Sequence, residues 1–169
     1  MIEEALAESS HVLKESLAGI PEAEAARKPG PEGWSVVDCV EHLVIAERSL
    51  LARIVAADES EALPADPARK AFVTGAVTSR ASRVQAPARA HPTGRFATLA
   101  EAIDQFDAAR RDTLAFLRDY AGDLENRKVM HPLFGPVTAA EMLLIMAGHT
   151  KRHAEQIREG RADSSRASA

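Results

Sequence analysis

Three segments of this sequence carry the same start signal for a helix: Ser35-Val36-Val37-Asp38, Thr98-Leu99-Ala100-Glu101 and Thr138-Ala139-Ala140-Glu141. The hydroxyl of the first residue accepts from the backbone N–H three positions on, and the acidic side chain there reaches back. Each such box satisfies donors that a helix leaves orphaned at its start, so it ties a helix to a fixed point in the chain. Behind the first box, Val36, Val40, Leu43, Val44, Leu51 and Ile54 keep a helical period to about Ala57. Trp34, just outside, is placed to pack over the first turn. Behind the second, Leu99, Ile103, Phe106, Leu114 and Leu117 carry a helix to about Tyr120. The third opens a helix for which Gly160 is the expected C-cap.

A fourth helix is read from periodicity alone. Ile2, Leu6, Leu13, Leu17 and Ile20 line one face of residues 2–20, and Gly19 and Pro21 end it. Residues 21–33 form a connection with its own bends. Alanine is abundant, and the 169 residues include only one Trp, one Tyr and five Phe. A core of small aliphatic side chains favours helix on helix over a sandwich or barrel. The expected fold is all-α: one domain over residues 1–160, a four-helix bundle with a long crossover between its second and third helices. That crossover, residues 58–97, holds Pro64, Pro67, Pro87 and Pro92, with a short helix expected near 68–78. The polar tail 161–169 is expected to be disordered.

The charges narrow the function classes. Lys and Arg total 21 against 25 Asp and Glu, a formal net of −4, which argues against nucleic acid as a partner. No run of 18 apolar residues exists to span a membrane. The start, Met1-Ile2-Glu3-Glu4, shows no secretory pattern, and the single Cys39 suits a reducing compartment. A cytoplasmic location is expected.

The chemistry-bearing residues are histidines. His149 and His153 lie four apart on the last helix, in the stripe of Met142, Ile145 and Met146, with Gln156 a turn further on. Two imidazoles on a buried face need partners, and a divalent metal supplies both at once. A hydrogen-bonded pair of core histidines is the equal alternative. His42 is the leading third ligand, although on a helical wheel it falls toward Asp38 and Ser49 rather than into the Val40–Val44–Leu51 stripe. His11, His91 and His131 read as solvated. Three histidines with a fourth position open are the pattern of a catalytic metal site. No GxSxG, Walker A or GxGxxG pattern and no CxxC pair is present, which removes the common nucleotide, serine-hydrolase and zinc-finger readings.

Two stretches together resemble a known family. The first is Gly33-Trp34-Ser35-Val36-Val37-Asp38-Cys39-Val40-Glu41-His42-Leu43, with Glu47 following. The second is His131-Pro132-Leu133-Phe134-Gly135, then Thr138, Glu141, His149, Arg152, His153 and Gln156-Ile157. In spacing and order they resemble the signatures of DinB-like proteins, over about residues 1–160. The resemblance implies a four-helix bundle in which His42, His149 and His153 hold a divalent metal, nickel or zinc. It also implies a homodimer and a small-molecule substrate. Some members of that family are transferases or isomerases using bacillithiol, mycothiol or glutathione; others are labelled metal-dependent hydrolases. The competing class is a non-catalytic bundle that binds a small molecule or serves as a dimeric stress-response module.

Other residues carry paired readings. Glu47, on the apolar stripe of the second helix, either orients a ligand histidine or pairs with an arginine such as Arg152. Cys39 either lies near the metal or is a small buried hydrophobe. Gln156 either contacts a bound ligand or packs. Residues 67–100 contain no acid, while Arg69, Lys70, Arg80, Arg83, Arg89 and Arg95 fall among them. They bind an anionic substrate or thiol cofactor if the crossover covers the metal, and otherwise keep a loop solvated.

Overall fold

The computed structural model describes residues 1–30, 33–57, 63, 64, 66–78 and 86–167. Its elements are α1 (Ile2–Leu17), α2 (Glu22–Ala25), α3 (Val36–Ala56), α4 (Pro67–Thr78), α5 (Leu99–Asp119), the strands β1 (Lys128–His131) and β2 (Gly135–Thr138), and α6 (Ala139–Ala167). The bundle consists of α1, α3, α5 and α6. In it α1 packs on α6 and α3 packs on both α5 and α6. The short α4 lies within the crossover and packs on the outside of α6.

The boxes at α3 and α6 are reciprocal. Asp38 N–H donates to Ser35 Oγ at 3.0 Å while Asp38 Oδ2 accepts from Ser35 N–H at 2.9 Å. Glu141 and Thr138 repeat the exchange at 3.0 and 2.7 Å. At α5 only half of the box forms. Thr98 Oγ1 accepts from Glu101 N–H, but Glu101 turns to Ala97 N–H. Glu22 of α2 caps the exposed Leu99 and Ala100 N–H groups instead, at 2.7 and 3.1 Å. An acid from a distant turn thus completes a helix start that the local sequence leaves open.

The core divides into two regions. One gathers Leu13, Val40, Leu43, Ala102, Phe106 and Ile157; the other gathers Leu6, Ile54, Met142, Leu143, Met146 and the hairpin residues Val129 and Val137. Each fully buried leucine, isoleucine or methionine contributes about 1.5–3 kcal/mol over its exposed state. The antiparallel β1–β2 hairpin, absent from the sequence expectation, pairs His131 with Gly135, whose φ of 71° closes a three-residue turn.

One boundary differs plainly from expectation. Gly160 does not end the last helix, which continues to Ala167. Arg158 donates to Val12 O, and Arg161 donates to Ser16 O and Ala18 O. These are carbonyls at the end of α1, so the extra turns of α6 gain partners that a local stop signal cannot anticipate. Residues 168 and 169 lie outside the described residues. No helix among the described residues is long and apolar enough to cross a membrane.

Candidate metal centre

His42 projects from α3, while His149 and His153 project from successive turns of α6. Their Nε2 atoms converge: His149 Nε2 lies 3.1 Å from that of His42 and 3.1 Å from that of His153. All three donor atoms fall within 4.8 Å of one another. His42 and His153 are buried and His149 is partly buried. The ambiguity of the wheel is resolved by a neighbour the wheel omits. The crossover lays a 3-10 turn, Ala88–Ala90, over the flank of α3, and His42 Nδ1–H donates to Ala90 O at 2.7 Å.

That hydrogen bond fixes the tautomer. With Nδ1 protonated, Nε2 of His42 turns a lone pair toward the other two rings. Burial lowers the pKa of His42, although the Ala90 bond opposes it, and the nearby His91 lowers it further. Burial pushes His149 down to about 3, with the charges of His42, His131 and Arg152 adding to the effect. Burial thus disfavours the protonated forms of His42 and His149. Protons cannot satisfy this arrangement, because one N–H on His149 can point at only one of its two neighbours. A cation accepts all three lone pairs. Two nitrogens bound tetrahedrally at 2.0–2.1 Å lie about 3.3 Å apart, close to the spacing here. The donor set fits a divalent transition metal.

Trp34 shapes one side of the centre. Its ring lies 4.9 Å from that of His42, 6.5 Å from that of His153 and 5.8 Å from that of His91. The residue placed to cover a helix start instead lies against two of the three converging histidines, His42 and His153. Adjacent to His42, Glu41 is completely buried and accepts from Thr93 N–H (2.7 Å), Thr93 Oγ1–H (3.1 Å), Gly94 N–H (3.0 Å) and Arg95 N–H (3.1 Å). Sequence reasoning passed over both roles. The signal for Glu41 was a carboxylate among Val40, Leu43 and Val44, facing a Thr-Gly turn in the crossover.

The remaining candidates separate. Glu47 pairs with Arg110 of α5 in the bundle interior. Cys39 is buried in the core and contributes no donor atom to the converging group. Gln156 is half-buried one turn beyond His153. Arg69 binds the buried Glu141 at 3.1 Å, and Lys70 pairs with Glu125, so these two cations fasten α4 to the bundle. Arg89 and Arg95 are exposed on the crossover beside the centre, whereas Arg80 and Arg83 lie outside the described residues. His11 is exposed, 3.3 Å from Glu15, and His91 is exposed with its Nε2–H on Ala86 O. His131 is not solvated. It is buried in the hairpin, where its Nδ1 accepts from Leu133 and Phe134 N–H.

Comparison with known proteins identifies the family. The sequence model of the DinB superfamily matches residues 5–157. The chain belongs to the DinB superfamily. Among curated proteins of this kind, YuaE of Bacillus subtilis (strain 168), itself uncharacterized, is 24% identical over 149 residues, spanning 85% of this chain and 86% of YuaE. Among solved structures, Bacillus subtilis YfiT aligns with 97% of this chain and 86% of its own at a TM-score of 0.60 and 17% identity. YfiT is described as a probable metal-dependent hydrolase with an unusual four-helix bundle topology. The DinB superfamily bundle is therefore the fold of this chain, with the three histidines at one end of the contact between α3 and α6.

Proposed function

We propose that this DinB-superfamily protein is a metal-dependent enzyme acting on a small molecule, with His42, His149 and His153 holding a zinc or nickel ion. The observation that carries the reading is the convergence of three Nε2 donors, two of them 3.1 Å from the third. A metal held by three histidines keeps a position open and there lowers the pKa of a bound water or thiol. Hydrolysis and transfer of a low-molecular-weight thiol such as bacillithiol, mycothiol or glutathione are the two reactions that position serves. The description of YfiT favours the first. Arg89 and Arg95, exposed beside the centre, suit the carboxylates of the second.

The chain's own contribution is placement. Ala90 O holds His42 in one tautomer, and Trp34 closes one side of the centre to water. A cytoplasmic location and a homodimeric assembly complete the reading. Metal analysis of protein purified from metal-replete medium tests the reading directly. Stoichiometric zinc or nickel, lost in His149→Ala, is the expected result; a metal-free unmutated protein sinks it. Electrophilic and ester substrates, screened with and without each thiol, then separate thiol transfer from hydrolysis. Ligand binding that survives metal removal, with no turnover in any combination, favours a non-catalytic binding bundle.

A further inference from the structure

Glu41 is a costly residue to place where it stands. A carboxylate with no exposed surface is tolerated only when its lone pairs are filled, and here four donors from three consecutive residues, Thr93, Gly94 and Arg95, fill them. Gly94 makes this possible. Its φ of 76° turns successive N–H groups inward to form an anion-binding concavity, and the chain occupies that concavity with its own side chain. Four residues before Gly94 in the same segment, Ala90 O receives His42 Nδ1–H. Adjacent residues of α3 thus grip one strap of the crossover at two points. The grip at Glu41 is the stronger, because it is charged and fourfold.

From this clamp we infer that Glu41 is a positioning residue for the metal centre: by fixing residues 93–95 it fixes the Ala90 carbonyl, which in turn sets the tautomer and ring angle of His42. The inference rests on the metal reading above and goes one shell beyond it. Without the clamp, Ala90 O is free to drift, and the His42 ring loses the partner that directs its Nε2 lone pair at His149. Outer partners of ligand histidines alter metal affinity by about 10–100-fold when removed.

The test is a titration of the full-length protein with cobalt(II), followed by its visible absorption, in wild type, Glu41→Ala and Gly94→Ala. Glu41→Ala is expected to bind cobalt about 10–100-fold more weakly with shifted bands. Acetate, refilling the concavity, is expected to restore part of the affinity. An unchanged affinity and spectrum in a folded Glu41→Ala protein overturns the inference. If that variant does not fold, Gly94→Ala decides. A Cβ there meets no atom within 4 Å, so the change strains only the left-handed turn, and it must weaken cobalt binding for the inference to stand. A wild type that binds no cobalt defeats the metal reading, and the clamp is then judged by NMR. The His42 Nδ1–H proton must exchange slowly in wild type and rapidly in both variants; equal exchange defeats the clamp as well.

Discussion

Arg110 and Glu47 meet inside the bundle as a bidentate pair, with Nε and Nη2 of the arginine 2.7 and 3.0 Å from the two carboxylate oxygens. Neither side chain is more than 4% exposed. The guanidinium also reaches Leu6 O, Ser9 Oγ and Thr150 Oγ1, and Thr113 Oγ1–H donates to Glu47, so groups from α1, α3, α5 and α6 share one buried network. Removing one partner leaves an uncompensated buried charge. Arg110→Ala is expected to cost about 3–5 kcal/mol, lowering Tm by roughly 10 °C in a domain of this size. The double change Arg110→Met with Glu47→Leu recovers much of that loss. Urea titrations of the wild type and the two variants check both statements.

Two glycines of α6 oppose each other as substitution sites. A Cβ on Gly148 would stand 2.5 Å from Val77 Cγ1 and 3.0 Å from Thr78 Cγ2, so α4 rests directly on that bare backbone. Gly148→Ala is expected to destabilise by about 1–3 kcal/mol and to speed amide exchange throughout α4. At Gly160 a Cβ meets nothing within 4 Å, and the helix runs on to Ala167. Gly160→Ala is expected to stabilise by about 0.5–1 kcal/mol. Thermal melts with hydrogen exchange read both signs.

The metal-free protein should lose stability in weak acid. His131 is held down to about 4 by burial and the charge of Arg53, and His149 to about 3. Below about pH 6.5 the unfolded chain binds protons at both residues that the folded chain refuses, so stability falls with pH. Each group contributes a slope of about 1.4 kcal/mol per pH unit, from 6.5 down to its own folded value, and none above 6.5. Tm measured from pH 8 to pH 4 is expected to be flat and then decline, and His131→Asn should make the decline shallower.

Trp34 is the only tryptophan, and its ring contacts two of the three proposed ligands. Nickel added to the metal-free protein is expected to quench its emission saturably at one equivalent. His153→Ala should abolish the saturable phase while leaving the emission change on urea unfolding intact.

What the sequence made legible was local. A reciprocal box needs only residues three apart, and His149 and His153 share a face of one helix, so neither feature depended on the tertiary fold. His42 was ambiguous because a wheel describes one helix, whereas its cover comes from Ala90, 48 residues away. Glu47 invited an arginine, but the one it found, Arg110, is 63 positions distant on another helix. Gly160 followed a sound local rule that the carbonyls at the end of α1 outweighed. The hairpin was hidden because strands of four residues are too short to show a period; Gly135 was its clearest mark.

The span between His42 and His149 is 107 residues, nearly two-thirds of the chain. A single ion bound by both closes that span as a removable cross-link. Bridging a loop of about 100 residues withdraws roughly 4.7 kcal/mol of freedom from an unfolded chain that keeps the bridge. With the proposed ion bound, metal supply and resistance to unfolding become one variable, and a chelator would act on this protein as a reductant acts on a disulfide.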